Sequence, residues 1–165
     1  MSKRAESTTR RLLEEFAAAD FDLRLDPTWI SGMVAYAEVA IACRARKCAG
    51  PLFDQLAPWA DQMPMSGITA DGPVSHYVGG LATVLGRYDE ADAHFAQAAA
   101  FSDRANAKFF AARTNLSWGQ MLAERRAPGD TDKARDLLTK AHAAAAAATY
   151  ANVERRAAEA LQHLD

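Results

Sequence analysis

Val78-Gly79-Gly80-Leu81-Ala82-Thr83-Val84-Leu85-Gly86-Arg87-Tyr88-Asp89-Glu90-Ala91-Asp92-Ala93-His94-Phe95-Ala96-Gln97-Ala98 reads as two helical segments hinged at Gly86. Glycine ends a helix at little steric cost. Asp89 and Glu90 then suit the positive end of the next one. In the second segment Ala91, Phe95 and Ala98 fall at i, i+4 and i+7, one helical face. The same small–large–small-or-medium face recurs as Ala49, Phe53, Leu56 and as Ala134, Leu138, Ala141. Twelve residues before Ala49 lies Ala37, and twelve before Ala91 lies Gly79. Gly119 precedes Ala134 by fifteen, the extra three falling at the Pro128-Gly129 turn. A small residue in one helix is thus set opposite a small residue in the next. Antiparallel helices approach closely only where small side chains meet at the crossing. Phe53, Phe95 and Leu138 would fill the space between successive pairs.

Working outward, helical periodicity covers Glu6 to Ala19 and then a segment up to about Cys43, opened by an Asp26 N-cap and Pro27. Further helices are expected over about 49–60, 74–86, 88–101, 105–124, 132–148 and 151–164. Pro51 is expected in the first turn of its helix, where its missing N–H does no harm. Gln62 to Pro73 holds Pro64, Gly67, Gly72 and Pro73 and reads as one long irregular stretch, partly folded back through Met63, Met65 and Ile68. No run alternates strictly, so no sheet is expected.

Composition agrees. Of 165 residues 38 are alanine, which leaves roughly a quarter of the chain as larger apolar residues, an ordinary globular level. Alanine is the best helix former and a poor core filler, so the chain reads as all-α with closely touching helices. It is long enough for one domain, 1–165, with residues 1–4 expected to be disordered. The net charge of −2 argues against a nucleic-acid binder driven by bulk charge. The polar start lacks the apolar stretch of a signal peptide, and the Ala143–Ala148 run is too short to span a bilayer. The expected compartment is therefore cytoplasmic, with no membrane partner.

The stretch Leu85-Gly86-Arg87-Tyr88-Asp89-Glu90-Ala91, with Phe95 and Ala98 after it, resembles a tetratricopeptide (TPR) repeat. The spacing departs from that family. Ala49 to Ala91 is 42 residues and Ala91 to Ala134 is 43, against about 34 in TPR repeats. From about Asp20 to Leu164 the order of segments resembles the C-terminal helical region of large bacterial regulators that join cyclase or LuxR-type DNA-binding domains to an ATPase module. The resemblance implies antiparallel pairs stacked as a right-handed TPR-like solenoid, about three pairs plus terminal helices. It implies a non-enzymatic protein–protein interaction or regulatory module in bacterial signalling or transcriptional regulation. It carries over no cyclase, ATPase or DNA-binding activity.

Reactive constellations are absent from the sequence. Asp89-Glu90-Ala91-Asp92 spells a helicase-type acidic box, but the chain has no Gly-Lys dipeptide and hence no phosphate loop. Gly79-Gly80 lies inside a helix and reads as packing. His76, His94, His142 and His163 form no H-E-x-x-H or close pair, and His94 reads as solvated. No serine sits in a nucleophile motif. Cys43 and Cys48 read as small apolar side chains near a helix–helix turn, with a local disulfide as the alternative. No catalytic residue, metal or cofactor is expected.

Two surfaces follow. Solenoids of this kind bind through the concave face lined by the first helix of each pair. One turn either side of the small anchors, that selects Glu38, His76, Thr83, Arg113 and Gln120 for a protein or peptide partner. The first helix leaves Leu12, Leu13 and Phe16 as an apolar face through which two chains could pair as a homodimer. A reading of another class makes the chain a helical small-molecule-binding or enzymatic domain, with the 62–73 loop as a lid.

Overall fold

The computed structural model describes residues 11, 13–18, 21, 28–66 and 69–164. Residues 1–4, Leu12 and the expected Asp26–Pro27 helix start lie outside them. The chain divides into two compact units, Met1–Arg87 and Tyr88–Asp165. Both are helical, as the alanine content and periodicity require.

In the first unit, residues 13–18 are helical and precede α1 (Trp29–Ala42), α2 (Arg46–Leu56), a 3-10 turn at Ala57–Trp59 and α3 (Val74–Leu85). Each of these three helices packs on the other two. Met33, Val34, Ala37 and Ala40 of α1 and Ala49, Leu52, Phe53 and Leu56 of α2 are buried at helical spacing. Gly80 is where α3 meets α1. A Cβ there would lie 2.5 Å from Ile41 Cδ1, so Gly80 serves packing. α2 starts three residues earlier than expected, at Arg46, which moves Pro51 out of the first turn into the helix interior. Its missing N–H therefore leaves a gap in the helical ladder.

The Gln62–Pro73 stretch is not wholly irregular. Among its described residues two short strands, β1 (Met65–Ser66) and β2 (Thr69–Ala70), pair antiparallel. Backbone bonds from Asp71 N–H to the Pro64 carbonyl (3.1 Å) and from Val74 N–H to the Gln62 carbonyl (2.9 Å) close its base. The Ser31 hydroxyl of α1 donates to Asp71 Oδ2 at 2.7 Å, and the Tyr77 hydroxyl of α3 donates to the Asp71 carbonyl. The ribbon is thus held by side chains forty residues before it and six after it in sequence.

The second unit comprises α4 (Tyr88–Arg104), α5 (Lys108–Arg125), α6 (Asp130–Ala148) and α7 (Ala151–Gln162). α5 packs on α4 and α6, and α7 closes on α6 and α5. A core of Ala112, Leu116, Leu138, Ala141, Ala145, Val153 and Ala157 binds the last three together. All nine residues of the repeated face—Ala49, Phe53, Leu56, Ala91, Phe95, Ala98, Ala134, Leu138 and Ala141—are buried. The crossing of α5 and α6 is at Gly119. A Cβ there would lie 2.7 Å from Leu138 Cγ and 3.2 Å from the Ala134 carbonyl oxygen, so Gly119 faces Ala134 as the spacing predicts.

Four helix ends share one device. Arg44, Gly86, Asn106 and Thr149 each adopt a positive φ, and the N–H of the next residue bonds back to a carbonyl five residues earlier. This satisfies end carbonyls that a helix otherwise leaves bare. Cys43 and Cys48 flank the Arg44 reversal as buried thiols, with no disulfide between them.

Overpacking at Gly119 is the expected weak point. Gly119→Ala should cost about 1–3 kcal/mol and Leu138→Ala about 2–5 kcal/mol. Because the added methyl takes space that the leucine vacates, the double variant should lose less than the sum. Urea unfolding of the four proteins checks this; strict additivity would mean the two side chains do not meet.

Candidate functional site

The residues singled out from sequence occupy varied settings. In the first unit, Glu38 is exposed on α1. Thr83 is half-buried on α3 and spends its hydroxyl on the Gly79 carbonyl of its own helix at 2.9 Å. His76, on α3, is buried with its ring edge-on to Tyr77 at 5.2 Å. In the second unit, Arg113 and Gln120 lie two turns apart on α5, both half-buried. Gln120 Oε1 accepts a 3.2 Å bond from Arg156 of α7. Leu12 is outside the described residues. Leu13 is buried, and Phe16 is 44% exposed with its ring 4.9 Å from Tyr36. His94 is half-buried on α4, less exposed than a solvated side chain. Among the described residues no three His, Cys, Asp or Glu side chains come together as a metal site. No helix among them is long and apolar enough to cross a membrane.

The acidic box is taken up by a ladder of basic and aromatic side chains across the second unit. Asp89, at the start of α4, accepts a 3.1 Å bond from Arg125 at the end of α5. The same guanidinium grips Asp130, at the start of α6, through Nε to Oδ2 (2.8 Å) and Nη2 to Oδ1 (2.7 Å). Asp130 Oδ2 also accepts from Ala127 N–H at 2.8 Å, while Asp130 N–H donates to the Ala127 carbonyl at 3.0 Å. The Pro128-Gly129 turn is thereby locked from both sides. One helical turn further, Asp92 Oδ1 accepts from Trp118 Nε1 (2.6 Å) and Lys133 Nζ (2.8 Å), and Lys133 lies 4.4 Å over the Trp118 ring. Asp89 and Asp92, acids that the box would offer to a cation, already hold protein donors.

These contacts set the titration. Asp130 is held below its ordinary value, first by the Arg125 hydrogen bonds, which outweigh its burial. Burial raises Asp92, but the hydrogen bonds from Lys133 and Trp118 outweigh it and the net shift is downward. Arg125 is held protonated, chiefly by Asp130. A carboxyl whose folded value is depressed contributes stability that is present above its unfolded value, about pH 4, and is lost as the pH falls through the folded one.

A groove of about 420 Å³ opens in the second unit where α4 ends, α5 begins and the back half of α6 passes by. Its floor is alanine, with Ala111 and Ala112 from α5 and Ala144 and Ala147 from α6. Its polar lining is Ser102, Asp103, Asn106, Lys108, Asn115 and Lys140. None of these polar residues belongs to a motif or spacing that the sequence shows. Asn106 is the residue that reverses the chain between α4 and α5, at φ 49°, a conformation asparagine tolerates better than most side chains. Ser102 is 1% exposed and its hydroxyl has no hydrogen-bond partner. Lys140 donates to Asp136 on its own helix at 2.7 Å. The fold and sequence match no protein-family model, no curated protein and no solved structure.

Asp130→Asn should lower stability near neutral pH by about 1–3 kcal/mol, since a charge-assisted pair is lost and Arg125 is left half-satisfied. The difference from the wild type should shrink as the pH falls below about 4, where both proteins lose that charge. Urea midpoints measured between pH 7 and pH 2.5 check both the size and the sign.

Proposed function

We propose that the chain is a non-enzymatic interaction module of TPR-like helical hairpins that binds a protein or peptide partner in a bacterial signalling or transcription-regulating system. The observation that carries this reading is the combination of close-packed hairpins with large side chains left on their outside. Trp59 is 40% exposed and stands edge-on to Trp29 at 5.9 Å, and Phe109 is 40% exposed beside Tyr150 at 5.1 Å. Rigid aromatic side chains with few torsions are the usual anchors of protein contacts, because little entropy is lost when they are covered. Arg113 and Gln120 on α5 add polar groups from a helix whose buried residues fix its position. The resemblance of the Leu85–Ala98 stretch to a TPR repeat supports the same class.

Selection from a random peptide library on the full chain tests it. Enriched peptides should bind the wild type saturably and should weaken tenfold or more on Arg113→Ala or Gln120→Ala, the loss expected for central contacts. No enrichment above an unrelated helical protein, or affinities indifferent to both changes, would contradict the proposal.

A further inference from the structure

The end of the first unit away from the α1–α2 turn carries an inference beyond the interaction reading, from which it takes only that the partner is a peptide segment. We propose that this end docks a cationic stretch of a partner protein, which sets an arginine or lysine against the Trp29–Trp59 pair.

Hydrogen bonds fix which elements meet there. Ser31, near the start of α1, donates to Asp71 at 2.7 Å. Val74 N–H, at the start of α3, donates to the Gln62 carbonyl, and Gln62 N–H donates to the Trp59 carbonyl, both at 2.9 Å. The start of α1, the turn that ends α2 and the start of α3 therefore share one end. Leu56 and Ala60, either side of Trp59, are buried, so the turn is anchored while its indole stays in water. Trp29 meets that indole edge-on at 5.9 Å. An edge-on pair leaves each ring at least one face that the other does not cover. Pro58 beside Trp59 is exposed, and Met65 of the following ribbon is 61% exposed. Water satisfies none of these apolar side chains, and a rigid patch of them loses little entropy when covered.

Charge chooses the occupant. From Thr28 to Gly86 the only lysines and arginines are Arg44, Arg46 and Lys47, all at the α1–α2 turn. Arg87 follows α3, and Arg46 Nη1 lies 3.9 Å from where Gly86 would carry a Cβ. These four cations thus gather at the opposite end of the unit. The elements that build the aromatic end contribute Asp54, Asp61 and Asp71 and no lysine or arginine. Asp54 and Asp61 flank Trp59 in sequence, and both are exposed. A cation arriving here meets acids of complementary sign and an indole face that attracts it through the ring quadrupole. An acidic segment is repelled. A second copy of the chain is the competing occupant, through its own basic end. Arg87 of that end is already engaged, 5.1 Å over the Phe53 ring, which favours a separate partner.

The test selects random peptides on the full chain and counter-selects them on Trp59→Ala. Trp59→Leu, which keeps apolar bulk and removes the π face, repeats the counter-selection. The peptides lost should each carry an arginine or lysine whose change to Gln weakens binding about tenfold. The change to Glu should weaken it further. Asp54→Asn combined with Asp61→Asn, at exposed positions that leave the core untouched, should weaken binding about threefold. Bound peptide should shift the indole N–H NMR signals of Trp29 and Trp59 and leave that of Trp118, which is bonded to Asp92 in the second unit. The proposal is overturned if counter-selection removes no peptide, if the Gln or Glu forms bind as well, or if the double Asp variant binds unchanged. It is also overturned if light scattering shows a dimer that Trp59→Ala dissociates, since a second copy then covers the face. Peptides that need Arg113 or Gln120 but not Trp59 leave the interaction reading standing and overturn this one. Peptides that need Trp59 but neither Arg113 nor Gln120 do the reverse.

Discussion

Close approach of α5 and α6 at Gly119 is the constraint on which the second unit depends. With no side chain at the crossing, Leu138 Cγ and its δ2 methyl come within 3.0 Å of where a Cβ would be, and the α6 backbone at Ala134 comes within van der Waals reach. Alanines at 112, 141, 145 and 157 keep the flanking distances short, while Leu116, Leu138 and Val153 supply the bulk. Small residues set the spacing and a few large ones fill what is left, because interiors tolerate neither voids nor excess volume. Gly80 against Ile41 repeats the device between α3 and α1.

The polar ladder follows from that spacing. Once α5 is seated between α4 and α6, its Trp118 and Arg125 can reach acids on one neighbour, and Arg125 also reaches Asp130 on the other. Most of these groups are partly exposed, so the ladder contributes register more than bulk stability. Asp130 is the exception. It is buried, gripped by two guanidinium nitrogens and one backbone N–H, and it fixes how α6 leaves the turn.

Much of this was legible from residue type and spacing. The nine-residue repeated face is buried because a 3.6-residue period leaves those side chains no other side of the helix. The Gly86 reversal was legible for the same reason that glycine marks turns. The reversals at Arg44 and Thr149 were not, since neither residue type favours a positive φ. The start of α2 was misplaced because Pro51 argues for a later first turn, and burial of Cys48, Ala49, Leu52 and Phe53 overrides that local preference. The short ribbon escaped because two-residue strands have no alternation to detect, and its anchor, Ser31 to Asp71, joins residues forty apart. The groove escaped for a related reason. Ser102, Asn106, Asn115 and Lys140 carry no motif, and only the packing of three helices brings them to one alanine floor.

A structure built on small-residue crossings leaves shallow spaces beside them, and the groove at the α4–α5 turn is one. The direct measurement of the crossing is a methyl-labelled NOE spectrum of the full chain. Strong cross-peaks between the Gly119 α-protons and the Leu138 δ2 methyl group are required by the geometry described. Their absence, with Gly119 instead close to solvent or to other methyl groups, would contradict it.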